Sequence, residues 1–420
     1  MLSSLPKDIV GDILLNLPVG DVQKLASTDS NLNSMLQNNK SFWRKRFEQD
    51  YSENADKADN WLDKYKNNVF SYMLGYRLGM TYFDSPIHKL ACGTPLHISA
   101  GYTHIVVLDT ENNVWVFGDN TEGQLGLGKA VKDSDGQKLP GIKAKEVATG
   151  KYHTLLIDMD DNVWVFGDNR THQLGIWGWR DLWYVPFKQY FAKTPEYIYT
   201  PIKLNLKASA VTSGEFHSVV VDLNDDIWVF GGNKGGQLGL NDTRERAYPT
   251  RLTGLKGKKV FACRDGTFII DDEDELWCCG TNRWGILGLE SKSKQLVPVK
   301  LGIKAKNIFS NRGDYSQSIL IDFENNMWAC GGNMYDIFSN RTFTRIEGPK
   351  VKSVSIGSLH MLFIDLNNNL WVYGKNDCGA LGQDIKKLRR FEQFTMIPNI
   401  KVKEISSSTA SSAIIGYVHE

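Results

Sequence analysis

Residues Asn112–Asn120 read NNVWVFGDN, and residues Asp161–Asn169 read DNVWVFGDN. One nonapeptide returns almost unchanged 49 residues later, and it does not stop at two copies. Aligned on its tryptophan, the motif stands at Trp115, Trp164, Trp228, Trp277, Trp328 and Trp371, spaced 49, 64, 49, 51 and 43 residues apart. Three residues after each Trp comes a Gly (118, 167, 231, 280, 331, 374), and five after it an Asn (120, 169, 233, 282, 333, 376). Six residues before it comes an Asp (109, 158, 222, 271, 322, 365). Three offsets filled in all six copies define an internal repeat of about 50 residues.

Each copy reads as short strands. HTLLID (153–158) and NVWVFG (162–167) are β-rich runs joined by Asp and Asn turn residues, a hairpin pattern. A Gly-rich connection such as GDNTEGQLG (118–126) follows, then a further strand, then IKAKEVATG (142–150) leading into the next copy. Four strands per unit, repeated radially, describe a β-propeller, with the six tryptophans filling the wedges between blades. The tail KVKEISSSTASSAIIG (401–416) aligns with KAKEVATGKYHTLLID (143–158) and supplies half of a seventh unit. The other half is expected from GMTYFDSPIHKL (79–90), so the two ends of the chain would share one blade and leave no open edge.

The consensus G-x-x-H, then Asp, Trp, Gly and Gly-Gln-Leu-Gly resembles the repeat of the regulator of chromosome condensation family, whose fold is a seven-bladed propeller. The resemblance covers residues 80–420. Two copies depart from it. The fourth has CRDG (263–266) in place of G-x-x-H, and the fifth has DYSQ (314–317) and no Gln-Leu-Gly, so both blades are expected to be looser.

Residues 1–48 share nothing with the repeat. Ile9, Ile13, Leu14 and Leu17 fall on one helical face, and Pro6 and Pro18 bracket that helix. Asp21 can cap a second helix carrying Val22 and Leu25, and Asp29 or Ser30 a third. This stretch resembles an F-box through Leu5, Pro6, Ile13, Leu14, Leu17, Pro18, Leu25 and Trp43. The resemblance implies docking to the small adaptor subunit of SCF-type (cullin-based) ubiquitin ligases through exposed apolar positions such as Leu14. The plainer alternative is a helical cap on the propeller. Between the modules, Trp61, Tyr65, Val69, Tyr72 and Tyr76 recur every three or four residues, which predicts a linker helix over 49–79. The expected architecture is therefore mainly β: a seven-bladed β-propeller (80–420) preceded by a small all-α module (1–48) and a linker helix.

The bulk numbers suit this reading. The chain has 420 residues, 41% hydrophobic and 23% charged, with 49 Lys and Arg against 48 Asp and Glu, for a net charge of +1. Such balance disfavours nucleic acid or an anionic membrane as a partner held by bulk charge. No apolar run approaches a membrane span, and the N-terminal residues do not read as a signal peptide, so an intracellular location, cytoplasmic or nuclear, is expected. The six cysteines (92, 263, 278, 279, 330, 378) read as reduced thiols, mostly half-buried on strands.

Candidate chemistry is mostly absorbed by the repeat. GQLGLGKA (123–130) ends in Ala where a phosphate loop needs Ser or Thr, and its glycines recur at 235–240. His104, His153, His217 and His360 each stand eleven residues before their Trp. Without companion Cys or carboxylate ligands they read as residues hydrogen-bonded to backbone near the hub rather than a metal site. Paired lysines precede the first strand of most units and face acidic hairpin turns such as DDEDE (271–275), which reads as a self-neutralised rim. No cofactor or intrinsic active site is expected.

One segment has no repeat explanation. The 64-residue spacing locates an insertion at 176–200 that holds Trp177, Trp179, Trp183, Tyr184, Phe187 and Tyr190. Aromatics at this density in a connection either pack on the blade edge or anchor a partner. The expected function is a non-catalytic subunit whose N-terminal module joins the ligase and whose propeller binds a target protein. The alternatives are a guanine-nucleotide exchange factor or a chromatin-binding propeller.

Overall fold

The computed structural model describes Leu14 and residues 70–74, 77–78, 81–82, 87–132, 134–176, 195–311, 317–332, 340–376, 379–382, 390–408 and 411–418. Its strands form seven four-stranded antiparallel blades, the first six in sequence order. Blade 1 takes Pro95–Ala100, His104–Asp109, Asn113–Gly118 and the first part of Ser134–Thr149. That last strand is 16 residues long; it pairs with Asn113–Gly118 over 134–143 and with His153–Asp158 over 144–149. It is thus the outer strand of one blade and the inner strand of the next. Tyr197–Ser213 bridges blades 2 and 3 in the same way, and Arg390–Ser407 bridges blades 6 and 7.

The seventh blade is shared by the two ends of the described chain. Ser412–Val418 pairs on one side with 400–407 and on the other with Phe70–Leu74, which in turn pairs with Ile87–Lys89. The periodicity reading put residue 72 in a helix and began the propeller at 80. The backbone of Phe70–Leu74 instead runs as a strand, with Arg77–Leu78 and Thr81–Tyr82 forming a small hairpin after it. The reason is tertiary. Ser412–Val418 offers a row of unpaired N–H and C=O groups, and satisfying them outweighs the helical spacing of a few aromatics. Residues 49–69, including Trp61, Tyr65 and Val69, lie outside the described residues.

Innermost strands meet across the blades through side-chain to backbone bonds. Thr149 N donates to Ser99 Oγ (3.2 Å), Val211 N to Glu146 Oε1 (3.1 Å), Ala262 N to Thr212 Oγ1 (3.2 Å) and Ser407 N to Ser355 Oγ (2.7 Å). The ring closes from blade 7 to blade 1, where Ile98 N donates to Glu404 Oε2 (3.2 Å) and Ala100 N to Ser406 Oγ (2.8 Å).

Apolar clusters fill the wedges, with Phe117, Phe166 and Phe230 essentially inaccessible. Burying each such ring stabilises the fold by about 1.5–3 kcal/mol. The repeat tryptophans share this packing but are half-buried, and each ties its indole N–H to the repeat Asp: Trp115–Asp109 at 2.8 Å, Trp164–Asp158 at 2.7 Å, Trp228–Asp222 at 2.9 Å, Trp277–Asp271 at 2.8 Å, Trp328–Asp322 at 3.0 Å and Trp371–Asp365 at 2.9 Å. The wedge role is therefore joined by a polar one, because a buried indole N–H needs an acceptor.

Blade 4 is not loosened by its departure from the motif. Its four strands pair throughout, and the exchange is reciprocal: Cys263 stands where other blades have Gly, and Gly266 where they have His. A Cβ on Gly266 would lie 2.9 Å from the Cys263 sulfur, so the thiol fills the space vacated there. Cys263, Cys278, Cys279 and Cys330 are fully buried rather than half-buried, and desolvation pushes the Cys263 and Cys279 thiols up to about 12. Such thiols are inert.

Deleting Lys401–Glu420 removes an inner strand and the partner of Phe70–Leu74, exposing the edge of that strand. The truncated chain is expected to oligomerise and to lose its cooperative melt, which size-exclusion chromatography and circular dichroism measure. A monomer with unchanged melting would show that the ring does not depend on this closure.

Candidate recognition site at the propeller mouth

The G-x-x-H turns are built by close approach. In Gly150–His153 the glycine N–H donates to the histidine carbonyl at 2.8 Å, and the imidazole folds back over the glycine. A Cβ on Gly150 would stand 2.0 Å from the ring, so only glycine fits. The histidine then reaches the next blade. His104 Nε2 meets Thr154 Oγ1 at 3.0 Å, His153 Nε2 meets Ser218 Oγ at 3.2 Å, His217 Nε2 meets Thr267 Oγ1 at 3.0 Å and His360 Nε2 meets Ser412 Oγ at 2.8 Å.

The first three of those hydroxyls donate onward to the carbonyls of Gln124, Gln173 and Gln237, at 2.8, 2.7 and 2.7 Å. A hydroxyl has one proton, so each of these three imidazoles is the donor and carries its hydrogen on Nε2. The histidines are therefore interblade latches whose Nε2 meets side-chain hydroxyls, not the backbone groups expected from the sequence. Among the described residues no group of three or more His, Cys, Asp or Glu is arranged to hold a metal.

With glycine and histidine committed to the latch, the two residues between them face the mouth of the ring. In blades 1 to 4 these include Tyr102, Lys151 and Tyr152, Glu215 and Phe216, and Arg264 and Asp265. The Lys151 ammonium lies 5.3 Å from the Tyr102 ring centroid, 5.6 Å from Tyr152 and 5.1 Å from Phe216, and it pairs with Glu215 Oε1. The other oxygen of Glu215 accepts from Arg264 Nε at 2.9 Å, and the Glu215 side chain is only 7% exposed. Desolvation and then the charge of Glu215 raise the Asp265 carboxyl. Desolvation, followed by Tyr102, Glu122 and Glu215, raises the Tyr152 phenol. Gly357, Ser358 and Ser408 of blades 6 and 7 line the same cleft as Tyr102 and Lys151.

A groove of about 440 Å³ continues outward from the mouth between blades 3 and 4, lined by Phe216, Asp265, Glu245, Gln237 and Lys294. None of these mouth residues was singled out by the repeat reading. The signal was present, because they fill the variable pair inside each G-x-x-H.

The roots of the aromatic insertion leave the same face. Asn169 N donates to Glu196 O at 2.7 Å, and Ile176 is buried. Arg170 grips Asp168 with two bonds of 2.9 and 3.0 Å and lies 5.3 Å from the Tyr197 ring. Tyr199 reaches the connection of the neighbouring blade, its hydroxyl donating to Thr121 O at 2.7 Å. Trp177, Trp179, Trp183, Tyr184, Phe187 and Tyr190 lie outside the described residues.

So do Leu5, Pro6, Ile13, Leu17, Pro18, Leu25 and Trp43. Leu14 is described: it is helical and fully buried, so it is a packing residue and not the exposed docking position expected.

The opposite face spends its charge on itself. Lys258 pairs with Asp274 at 2.6 Å, Lys145 pairs with Asp161, and Lys306 Nζ donates to Asn325 Oδ1 at 2.7 Å. Lys207, Lys256 and Lys401 donate to turn carbonyls of Asp160, Asn224 and Asn367, at 3.0, 2.7 and 3.0 Å.

Comparison with known proteins agrees with this geometry. Residues 96–124, 351–380, 111–157 and 224–266 match models of the "Regulator of chromosome condensation (RCC1) repeat", so the chain carries RCC1 repeats. It is 25% identical over 169 residues to the ultraviolet-B receptor UVR8 of Arabidopsis thaliana, covering 39% of this chain and 36% of the receptor. It is 30% identical over 165 residues to the probable E3 ubiquitin-protein ligase HERC4 of Homo sapiens, covering 39% of this chain and 10% of the ligase. The chain thus matches well under two thirds of either relative. Among solved structures, Prp20p of Saccharomyces cerevisiae superposes with a TM-score of 0.68 at 18% identity, covering 87% of this chain and 97% of that one. That likeness is one of fold: an RCC1-like propeller. Among the described residues, no helix is long and apolar enough to cross a membrane.

The His360 latch carries a pH signature. His360 is 4% exposed, and desolvation lowers its pKa to about 4 from the ordinary 6.5. The unfolded chain therefore takes up this proton before the folded one. The stabilisation is whole above about pH 6.5 and is lost as pH falls toward about 4.

The turn carboxylates act lower. Burial alone would raise Asp158, Asp222, Asp271, Asp322 and Asp365, but bonds from indole and backbone N–H outweigh it and hold all five below the ordinary range. Their contribution goes only below about pH 4. The urea midpoint is expected to fall between pH 6.5 and 4.5. His360→Asn should start lower at pH 7.5 and show a shallower slope in that window; equal slopes would remove His360 as the cause.

Proposed function

We propose that the chain is a non-catalytic substrate-recognition subunit of an SCF-type ubiquitin ligase. Residues 1–48 dock the ligase adaptor, and the propeller mouth holds a target protein. The observation that carries the second half is the asymmetry of the two faces. Lysines and acidic turns are used up by one another on one face, whereas the other gathers Tyr102, Lys151, Tyr152, Phe216 and Arg264 around an opening. Aromatic and arginine residues of this kind are the anchors of protein interfaces.

The first half is supported by the Leu5-Pro6 and Leu17-Pro18 frame with Leu25 and Trp43. The mechanism is proximity: a target held beside the ligase presents its lysines at high effective concentration to a ubiquitin-charged partner. The shared repeat in HERC4, itself described as a probable E3 ligase, is compatible with such a role but spans only a tenth of that protein. The second reading is an exchange factor or a chromatin binder. It draws on Prp20p, whose structure is described with its binding to Gsp1p and histones, through likeness of fold alone.

Trp177, Trp179, Trp183, Tyr184, Phe187 and Tyr190 are assigned to target contact, because the described roots of their segment leave the mouth face. Affinity capture separates the two halves of the proposal. Deleting residues 1–48 should abolish adaptor capture while leaving the propeller's melting and its target intact. Trp179→Ala combined with Trp183→Ala should weaken target capture by about 2 kcal/mol or more, the usual effect of an interface Trp, and spare the adaptor. A purified chain that fails to bind adaptor at tens of micromolar, yet accelerates nucleotide release from a small GTPase, would move the assignment to the second reading.

A further inference from the structure

The cluster at the mouth has the chemistry of an ammonium site, and its occupant is the protein's own lysine. Three aromatic rings within 6 Å of one ammonium exceed what an interblade ion pair requires. Tyr102 and Tyr152 meet edge to face at 5.7 Å, which leaves parts of their electron-rich faces available to a cation. A nearly buried carboxylate, Glu215, closes one side, and Arg264 already neutralises its second oxygen. The Lys151 side chain is 24% exposed, so this lysine sits at the surface of the cluster and can swing out of it.

We propose that this cluster is an alkylammonium-recognition site held closed by Lys151, and that a lysine side chain of a bound protein takes its place between Tyr102, Tyr152 and Phe216, against Glu215. The proposal rests on the reading of the mouth as a protein-binding face. The partner it fits is a segment that presents such a lysine, and the groove lined by Phe216, Asp265 and Glu245 together with Lys234 and Lys294 gives its flanking residues a track of both charge signs. Burial raises the Asp265 carboxyl and the Tyr152 phenol, and the charge of Glu215 adds to both. Lys151 then acts as a plug. A free lysine must compete with an intramolecular one, so the native affinity is modest, and a partner must add contacts of its own to win.

The test uses the full chain and two probes: tetramethylammonium, and a short peptide with one trimethyl-lysine compared with its alanine counterpart. Lys151→Ala vacates the cage and should bind both cationic probes at least tenfold more tightly than wild type, read by tyrosine fluorescence and calorimetry. Lys151→Met keeps an apolar plug of similar length and should bind them no better than wild type. Tyr102→Ala added to Lys151→Ala should lose at least tenfold, with circular dichroism and melting confirming that each variant is folded. The proposal is overturned if folded Lys151→Ala binds the probes no better than wild type, or if removing Tyr102 leaves its binding unchanged. Adaptor capture on the same variants is independent of the cage. Loss of the ammonium effect with adaptor capture intact refutes the cage alone, whereas absent adaptor capture refutes the ligase reading alone.

Discussion

A single carboxylate in each of the first six blades organises this molecule. The repeat Asp accepts the backbone N–H groups two and four residues on, and the indole N–H six residues on. For Asp109 these are Glu111 N at 2.9 Å, Asn113 N at 2.9 Å and Trp115 Nε1 at 2.8 Å. The same set recurs in blade 6, where Asp365 holds Asn367 N, Asn369 N and Trp371 Nε1. The hairpin it closes requires a left-handed residue three positions after the Asp. Asn112, Asp161, Asp225, Asp274, Asn325 and Asn368 supply it, with φ between 62° and 69°. Asn and Asp tolerate that conformation better than other side chains. Without the carboxylate three donors would lose their acceptor; the one two residues on lies at the exposed turn and can turn to water, whereas leaving a buried one unsatisfied costs about 1–3 kcal/mol. The Trp, the turn and the register of the two central strands therefore stand or fall together, which is why their offsets are the most regular feature of the chain.

That regularity made the propeller legible. Offsets within one blade are local, and the physics behind them acts over six residues. What lies between blades was harder to read. The histidine latch joins residues 50 to 65 positions apart, and its partner is an ordinary Ser or Thr directly after the G-x-x-H position of the next blade: Thr154, Ser218, Thr267 and Ser412. A hydroxyl at one offset carries little weight until the blades are stacked. The strand at Phe70–Leu74 was misread for a related reason, since its structure is decided by an edge at Ser412–Val418, more than 300 residues away. Leu14 was misread in the opposite sense: the helical spacing found its element, but a spacing cannot say which face is covered.

The mouth residues escaped a reading built on repetition because they do not repeat. Lys151, Glu215 and Arg264 occupy equivalent places in blades 2, 3 and 4 with alternating charge, and they form a network only because the ring brings consecutive turns side by side. The lysines of the far face do repeat. They serve a repeated need, capping the left-handed turns and their carbonyls, and pairs so exposed contribute little to stability, typically about 0–1 kcal/mol each.

Blade 4 shows where the fold constrains the chain and where it does not. Cys263 and Gly266 exchange the bulky and the small position of the motif and keep the inner strands paired, so what the turn demands is one filled volume beside one empty one. The two residues between those positions, Arg264 and Asp265, are untouched by that demand. The same holds in blades 1 to 3, where Gly and His satisfy the backbone and the neighbouring blade and leave the intervening pair facing the opening. A ring of such turns is a surface on which side chains can change without disturbing the core beneath. The charged and aromatic choices at Tyr102, Lys151, Tyr152, Glu215, Phe216, Arg264 and Asp265 are therefore choices that folding did not require.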